Sequence, residues 1–168
     1  MGDGQLNVEL HVKNMEGKGV GVVTKSDLSR GEYIGTYVGQ RLTTTQAAQK
    51  EQQYANEKRY ATYIVHVDKT EGLGGNNSRN CSSAFAIDST RMGNVTRFLN
   101  HSCDPNMVLK KVFTNGYHNQ YPHLAFFAIK DIKEGDELTW KYLESGGGGK
   151  GTIKCLCGAP YPICRGTL

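Results

Sequence analysis

Eight short runs rich in β-branched and aromatic residues follow one another along the chain: LNVELHV, GVGVVTK, YIGTYVG, TYIVHVD, AFAID, MVLKKVF, HLAFFAI and DELTWKY. Most are bounded by Gly, Pro, Asn or Asp. Segments this short satisfy their backbone groups only by pairing into small sheets, so a mainly β domain with short helices is expected. The 168 residues suffice for one domain with a substantial core. One helix is expected at TTTQAAQKEQQYANEKRY, where threonines offer caps and good helix formers follow. Its faces are too polar for a core helix, which predicts an exposed excursion.

Two segments interrupt the pattern. DKTEGLGGNNSRNCSS, residues 68–83, reads as a mobile insertion between strands. It carries Cys81, an incidental thiol on this reading because a flexible loop preorganises a site poorly. A Gly-rich linker at 144–151 then separates the last strand from a tail, residues 152–168, of different composition. No apolar run approaches the length of a membrane span, and the net charge of +4 is spread without a basic block. Neither a membrane nor a nucleic acid is signalled as partner. The N-terminus lacks the basic-then-apolar layout of a signal peptide, which predicts an intracellular chain with reduced cysteines. Five cysteines, an odd number, also speak against a disulfide framework.

RFLNHSCDPN, residues 97–106, places Asn100, His101 and Cys103 within four positions. Three readings are open: a metal site, a thiol nucleophile with its base, or a turn whose side chains satisfy backbone groups. The nucleophile reading is the weakest, because His101 lies only two residues from Cys103 with no third orienting group in view. The tail CLCGAPYPICRGTL holds Cys155, Cys157 and Cys164 at C-x-C-x6-C. Gly158, Pro160 and Pro162 can reverse the chain between the second and third cysteines. Three thiolates can surround one tetrahedral ion, but a structural zinc normally takes four ligands, and Cys103 is the better fourth because an Asp-Pro turn fixes it. Three reduced surface cysteines are the alternative.

GKGVGV ending at Val22, YIGTYVGQ at 33–40, RFLNHSCDPN, AFFAIKDIKEGDELTWKY at 125–142 and the terminal cysteine cluster together resemble SET-domain protein lysine methyltransferases. The branch that methylates lysine 9 of histone H3 is the most similar, in its bifurcated-SET or Su(var)3-9-like members. The resemblance implies a SET domain over residues 8–143, built of small β-sheets with a threaded, pseudoknot-like C-terminal segment, followed by a zinc-bound post-SET tail. It implies S-adenosylmethionine contacts at Gly19, Val20, Gly21, Tyr63, Arg97, Asn100 and His101. A substrate channel of Tyr63, Phe85, Trp140 and Tyr142 follows, with Tyr142 at the reaction centre and one zinc on Cys103, Cys155, Cys157 and Cys164. From the residues alone, Trp140 and Tyr142 read equally as core aromatics of a strand.

The activity so implied is methyl transfer to a lysine of a histone tail, lysine 9 of histone H3 first, by a monomeric, nuclear, chromatin-associated protein that chromatin complexes could recruit. A catalytically weak SET-like module binding a peptide or chromatin partner, or an enzyme for a non-histone protein, is the alternative. Four positions depart from the family pattern. Val20 stands where Trp is frequent, Thr36 and Gln40 where Glu is frequent, and Lys141 where Asp is. Trp140 occupies the place of a Phe or Tyr that sets how many methyls fit. No cysteine-rich region precedes residue 8, as expected of a minimal enzyme or of a piece of a longer one.

Overall fold

The computed structural model describes residues 6–57, 63–67, 84–113, 122–142 and 154–167. Along the chain run β1 (Leu10–Met15), β2 (Gly19–Thr24), β3 (Tyr33–Tyr37), β4 (Gln40–Thr43), α1 (Thr44–Asn56), β5 (Ile64–Val67) and β6 (Phe85–Asp88). A 3-10 turn (Val95–Phe98) leads to β7 (Asn100–His101), β8 (Met107–Val112), β9 (His123–Ala128) and β10 (Thr139–Trp140). The mainly β architecture is as the turn-bounded runs require. β1 and β2 form an antiparallel hairpin, β3-β9-β8 and β4-β6-β5 are antiparallel sheets, and β7 pairs with β10 in parallel. Val22, Ile34, Leu99, Phe126 and Leu138 are almost wholly buried where these small sheets meet.

The expected strands are found, with shifted limits. LNVELHV pairs regularly only from Leu10; upstream, Leu6 bridges Gly35 and Asn7 donates to the Ile34 carbonyl at 3.0 Å. DELTWKY contracts to Thr139–Trp140, because its neighbours bond to other segments. The helix begins where predicted, with Thr43 and Gln46 in a reciprocal capping box at 2.9 and 3.2 Å. It is largely exposed, as expected, but one stripe docks it. Ala47 and Tyr54 are buried, and Asp88 Oδ2 on β6 accepts from the Tyr54 hydroxyl and the Lys50 ammonium, each at 2.9 Å. A polar pair docks this polar helix, which hydrophobic periodicity cannot show. The insertion at 68–83 with Cys81, and the linker at 144–151, lie outside the described residues.

A strap formed by residues 137–142 crosses the segment 99–106 and positions the site. Thr139 pairs with Asn100 and Trp140 with His101 in parallel register, and Ser102 N–H donates to the Trp140 carbonyl at 3.0 Å. Asn106 bolts the strap from the other side. Its Nδ2 donates to the Glu137 carbonyl and its Oδ1 accepts from Thr139 N–H, both at 2.8 Å. Residues some forty positions apart are thereby fixed against one another.

Candidate active site

The first half of the site is built on the β1–β2 hairpin. Its turn carries Gly17 and Gly19 at φ of 72° and 77°, values that L side chains rarely adopt. Gly21 serves a different need. A Cβ there would lie 2.5 Å from Met15 Cγ and 2.8 Å from Asn100 Nδ2, so only glycine lets the hairpin close on the 100–101 segment. Asn100 Nδ2 donates to the Val20 carbonyl at 3.2 Å and to Glu137 Oε1 at 2.9 Å. Glu137 Oε2 in turn accepts from Lys18 Nζ at 2.7 Å, with the two side chains 22% and 14% exposed. One carboxylate thus ties the glycine hairpin, Asn100 and the strap together. The sequence reading missed Glu137, since its partners stand 119 and 37 positions away.

Arg97 lies beside this hub. Its guanidinium carbon sits 4.5 Å from the Phe98 ring centroid and 5.7 Å from that of Tyr63, and Nη1 donates to the Ser89 carbonyl at 3.2 Å. Its Nε is buried with no hydrogen-bond partner among the described residues. A buried cationic donor left over in this way suits an anionic ligand group. Tyr63 packs edge-on to Phe98 at 5.9 Å, so Tyr63, Arg97, Asn100 and the hairpin glycines form one neighbourhood.

Tyr142 closes the second half. Its hydroxyl donates to the Leu99 carbonyl at 2.9 Å, its N–H donates to His101 Nδ1 at 3.1 Å, and its ring meets Trp140 at 5.0 Å and His101 at 5.3 Å. Burial of the hydroxyl, with the nearby Tyr63 and Glu137, pushes its pKa up to about 12, although the ring leaves the residue 44% exposed. The two facts are compatible, because the hydroxyl is bonded to the Leu99 carbonyl while the residue as a whole stays half exposed. His101 is shifted down by burial and then by the Lys141 charge, so its neutral form is favoured. Tyr37 was not anticipated either. Nearly buried, it donates to the Tyr63 carbonyl at 2.8 Å, and burial raises its pKa beyond the ordinary tyrosine range, so it stays a neutral donor close to Tyr63.

Outside Tyr142 runs a groove of about 340 Å³ whose apolar wall includes Val65, Val67, Leu109, Leu124 and Trp140. Its charged rim among the described residues is basic, with Lys110, Lys111 and Lys141. One side is β5, which among the described residues ends its sheet in the order β4-β6-β5. Phe85, expected in a substrate channel, does not line this groove. It is 2% exposed in the core, because its place in β6 between Thr43 and Val67 turns it inward. Tyr63 is likewise absent from the groove and belongs to the Arg97 neighbourhood.

Cys103, Cys155, Cys157 and Cys164 come together, all four Sγ atoms within 4.8 Å of one another and none in a disulfide. The 3.8 Å between the Cys103 and Cys155 sulfurs matches the edge of a tetrahedron with metal–sulfur bonds of about 2.3 Å. Backbone N–H groups of Ala159 and Gly166 donate to Cys157 and Cys164 sulfurs at 3.5 and 3.3 Å. Burial and the adjoining thiols push Cys103 up to about 12, whereas backbone donors overcome burial at Cys157 and bring it down to about 6. Four thiolates this close repel each other unless a cation sits among them, so the donor set suits a soft divalent ion.

The hairpin hub, the strap and the thiol cluster define a small-sheet domain in which Tyr142 joins the Asn100–His101 segment to the groove. A family model described as the SET domain matches residues 19–143, and the chain belongs to that family. It is 33% identical over 165 residues to histone-lysine N-methyltransferase SUV39H2 of Xenopus tropicalis, covering 90% of this chain and 37% of that protein. A histone-lysine N-methyltransferase of Fusarium mangiferae described as H3 lysine-9 specific, KMT1, is 33% identical over 163 residues, covering 90% of this chain and 46% of that one. The chain thus spans less than half the length of these relatives. A solved structure described under the product specificity of histone lysine methyltransferases superposes with a TM-score of 0.71 at 30% identity, over 96% of this chain and 56% of that one.

Proposed function

We propose that this chain is a protein lysine methyltransferase that uses S-adenosylmethionine and acts on a histone tail, with lysine 9 of histone H3 as the first target. The observation that carries this is the strap, which sets Tyr142 between the Arg97–Asn100–glycine neighbourhood and the groove. The relatives act on histone lysines by their names, and their branch supplies the target. S-adenosylmethionine supplies an electrophilic methyl group on a sulfonium. Arg97, with its spare Nε, is the candidate partner for the carboxylate of that donor, while Gly19, Val20, Gly21, Asn100 and His101 offer backbone edges for close approach.

The acceptor must be a neutral amine, and deprotonating a free lysine at pH 7 costs roughly 4 to 5 kcal/mol. The aromatic enclosure of Trp140 and Tyr142 disfavours the ammonium form. A Tyr142 hydroxyl that stays protonated can orient the amine lone pair and meet charge developing in the transition state. Tyr37, a second neutral hydroxyl, is spent on the Tyr63 carbonyl and adds no charge nearby. The rest is alignment of the reacting groups. A peptide can add as a strand to the β5 edge, leaving its side chains to the apolar wall. With lysines on the rim, backbone pairing rather than acidic contacts holds a basic peptide.

One zinc on Cys103, Cys155, Cys157 and Cys164 is the structural ion we propose. It joins the tail to the turn beside His101. A monomer in the nucleus, bound to chromatin, completes the reading. Calorimetry with S-adenosylmethionine tests it: saturable one-to-one binding that weakens in Arg97→Ala is expected. A folded protein that does not bind the donor overturns the proposal.

A further inference from the structure

The geometry points to His101 as a positioning residue that couples the cysteine cluster to Tyr142, in addition to any backbone contact it offers a donor. Its ring is held from both ends. Tyr142 N–H can only donate, so Nδ1, 3.1 Å away, must carry a lone pair. A neutral imidazole then bears its hydrogen on Nε2, and that nitrogen faces Cys103 Sγ at 3.3 Å. The contact is therefore an N–H donated to sulfur, aimed at one member of the four-thiol set. A metal-bound thiolate accepts such a bond far better than a protonated thiol does. Ligand loading thus fixes the ring, and the ring fixes the backbone of Tyr142.

The alternatives for holding Tyr142 are few among the described residues. Its hydroxyl is anchored to Leu99, but its N–H has only His101, and its ring touches the His101 edge at 5.3 Å with 71° between planes. Ser102, between the two linked residues, is pinned to the Trp140 carbonyl, so the peptide carrying His101 and Cys103 cannot slide. Such an imidazole beside a ligand, donating through one nitrogen and held through the other, is the usual way outer groups orient a metal site. Here the coupling also runs outward, toward the site chemistry.

This inference rests on the proposed zinc cluster, and the experiment separates the two. The full chain is loaded with cadmium-113 in place of zinc, its stoichiometry measured, and its histidine nitrogens and Tyr142 amide followed by NMR. Expected are one cadmium per chain, a His101 hydrogen on Nε2 with scalar coupling to the metal, and Tyr142 amide exchange at least tenfold faster once a chelator removes the ion. His101→Asn keeps an acceptor near the Nδ1 position and should preserve slow Tyr142 exchange while losing the metal coupling. His101→Gln places an amide donor near the Nε2 position and should do the reverse. A chain that binds no stoichiometric metal sinks the cluster reading and this inference with it. Bound cadmium with hydrogen on Nδ1, or with Tyr142 exchange indifferent to metal, overturns the coupling alone.

Discussion

Replacing Glu137 by Gln should loosen the donor side of the site without touching the groove. The carboxylate accepts from Asn100 Nδ2 at 2.9 Å and from Lys18 Nζ at 2.7 Å, and its side chain is 14% exposed. Charge-assisted hydrogen bonds contribute about 1.5 to 3 kcal/mol when enclosed. Lys18 retains 22% of its exposure, so water screens the ionic part and about 1 kcal/mol is the fair share of that pair. Gln can still accept from Asn100, but then turns its own NH2 toward the Lys18 ammonium. A net loss of about 2 kcal/mol follows, which for a domain of this size lowers Tm by about 4 to 8 °C. Because the hairpin with Gly19 to Gly21 is what slackens, KM for the methyl donor should rise about tenfold, with kcat at saturating donor changed less than about twofold. A Lys18→Met variant alone should lose about 1 kcal/mol, and the double variant less than the sum, since both remove one contact. Thermal unfolding and donor-dependent kinetics on the four proteins decide it. Unchanged Tm and donor KM in Glu137→Gln would refute the keystone role assigned to this carboxylate.

Cys103→Ser should lower bound zinc from one equivalent to a small fraction and abolish activity, whereas Cys81→Ser should change neither; elemental analysis and a methyl-transfer assay read the outcome. The kcat/KM for the peptide should rise about tenfold per pH unit between pH 7 and roughly 9, because the neutral lysine amine reacts and the pKa of the free lysine is about 10.4. Tyr142, pushed up to about 12, stays protonated throughout, so the rise belongs to the substrate; a flat profile with chemistry limiting would contradict this. At Asp88 burial raises the pKa, but hydrogen bonds from Thr90, Lys50 and Tyr54 outweigh it and hold it at about 2, against an ordinary 3.8. Its stabilising effect is thus full above 3.8 and fades as pH falls through about 2. Asp88→Asn should cost about 1 to 3 kcal/mol at neutral pH and flatten that acid limb in urea titrations.

What the sequence revealed were features written locally. The turn-bounded runs announced small sheets, and Thr43 with Gln46 announced the helix start. RFLNHSCDPN and the closely spaced tail cysteines could be read as parts of one cluster because an Asp-Pro turn and ligand spacing constrain a few neighbouring residues. Glu137, Asn106 and Tyr37 escaped notice for the opposite reason. Each acts through partners 26 or more positions away, and nothing in GDEL, DPN or TYVG alone shows which backbone it meets. Phe85 lies in the core rather than along the groove, and strand alternation gives two faces but not which faces the core. That choice is made by pairing with β4 and β5. The docking of α1 was hidden because it depends on Lys50 and Tyr54 finding Asp88 34 or more positions away, a polar contact that a hydrophobic stripe does not announce.

The central claim is methyl transfer to a lysine at the Tyr142 end of the groove. Its most direct measurement is incorporation of labelled methyl from S-adenosylmethionine into a histone H3 peptide spanning lysine 9, beside the same peptide with that lysine replaced by arginine. Label is expected in the lysine peptide alone, and less than about a tenth of wild-type turnover in Tyr142→Phe with donor binding intact, a loss above about 1.4 kcal/mol. A folded, zinc-loaded chain that binds donor and peptide yet transfers no label, or a Tyr142→Phe variant as active as wild type, would contradict it.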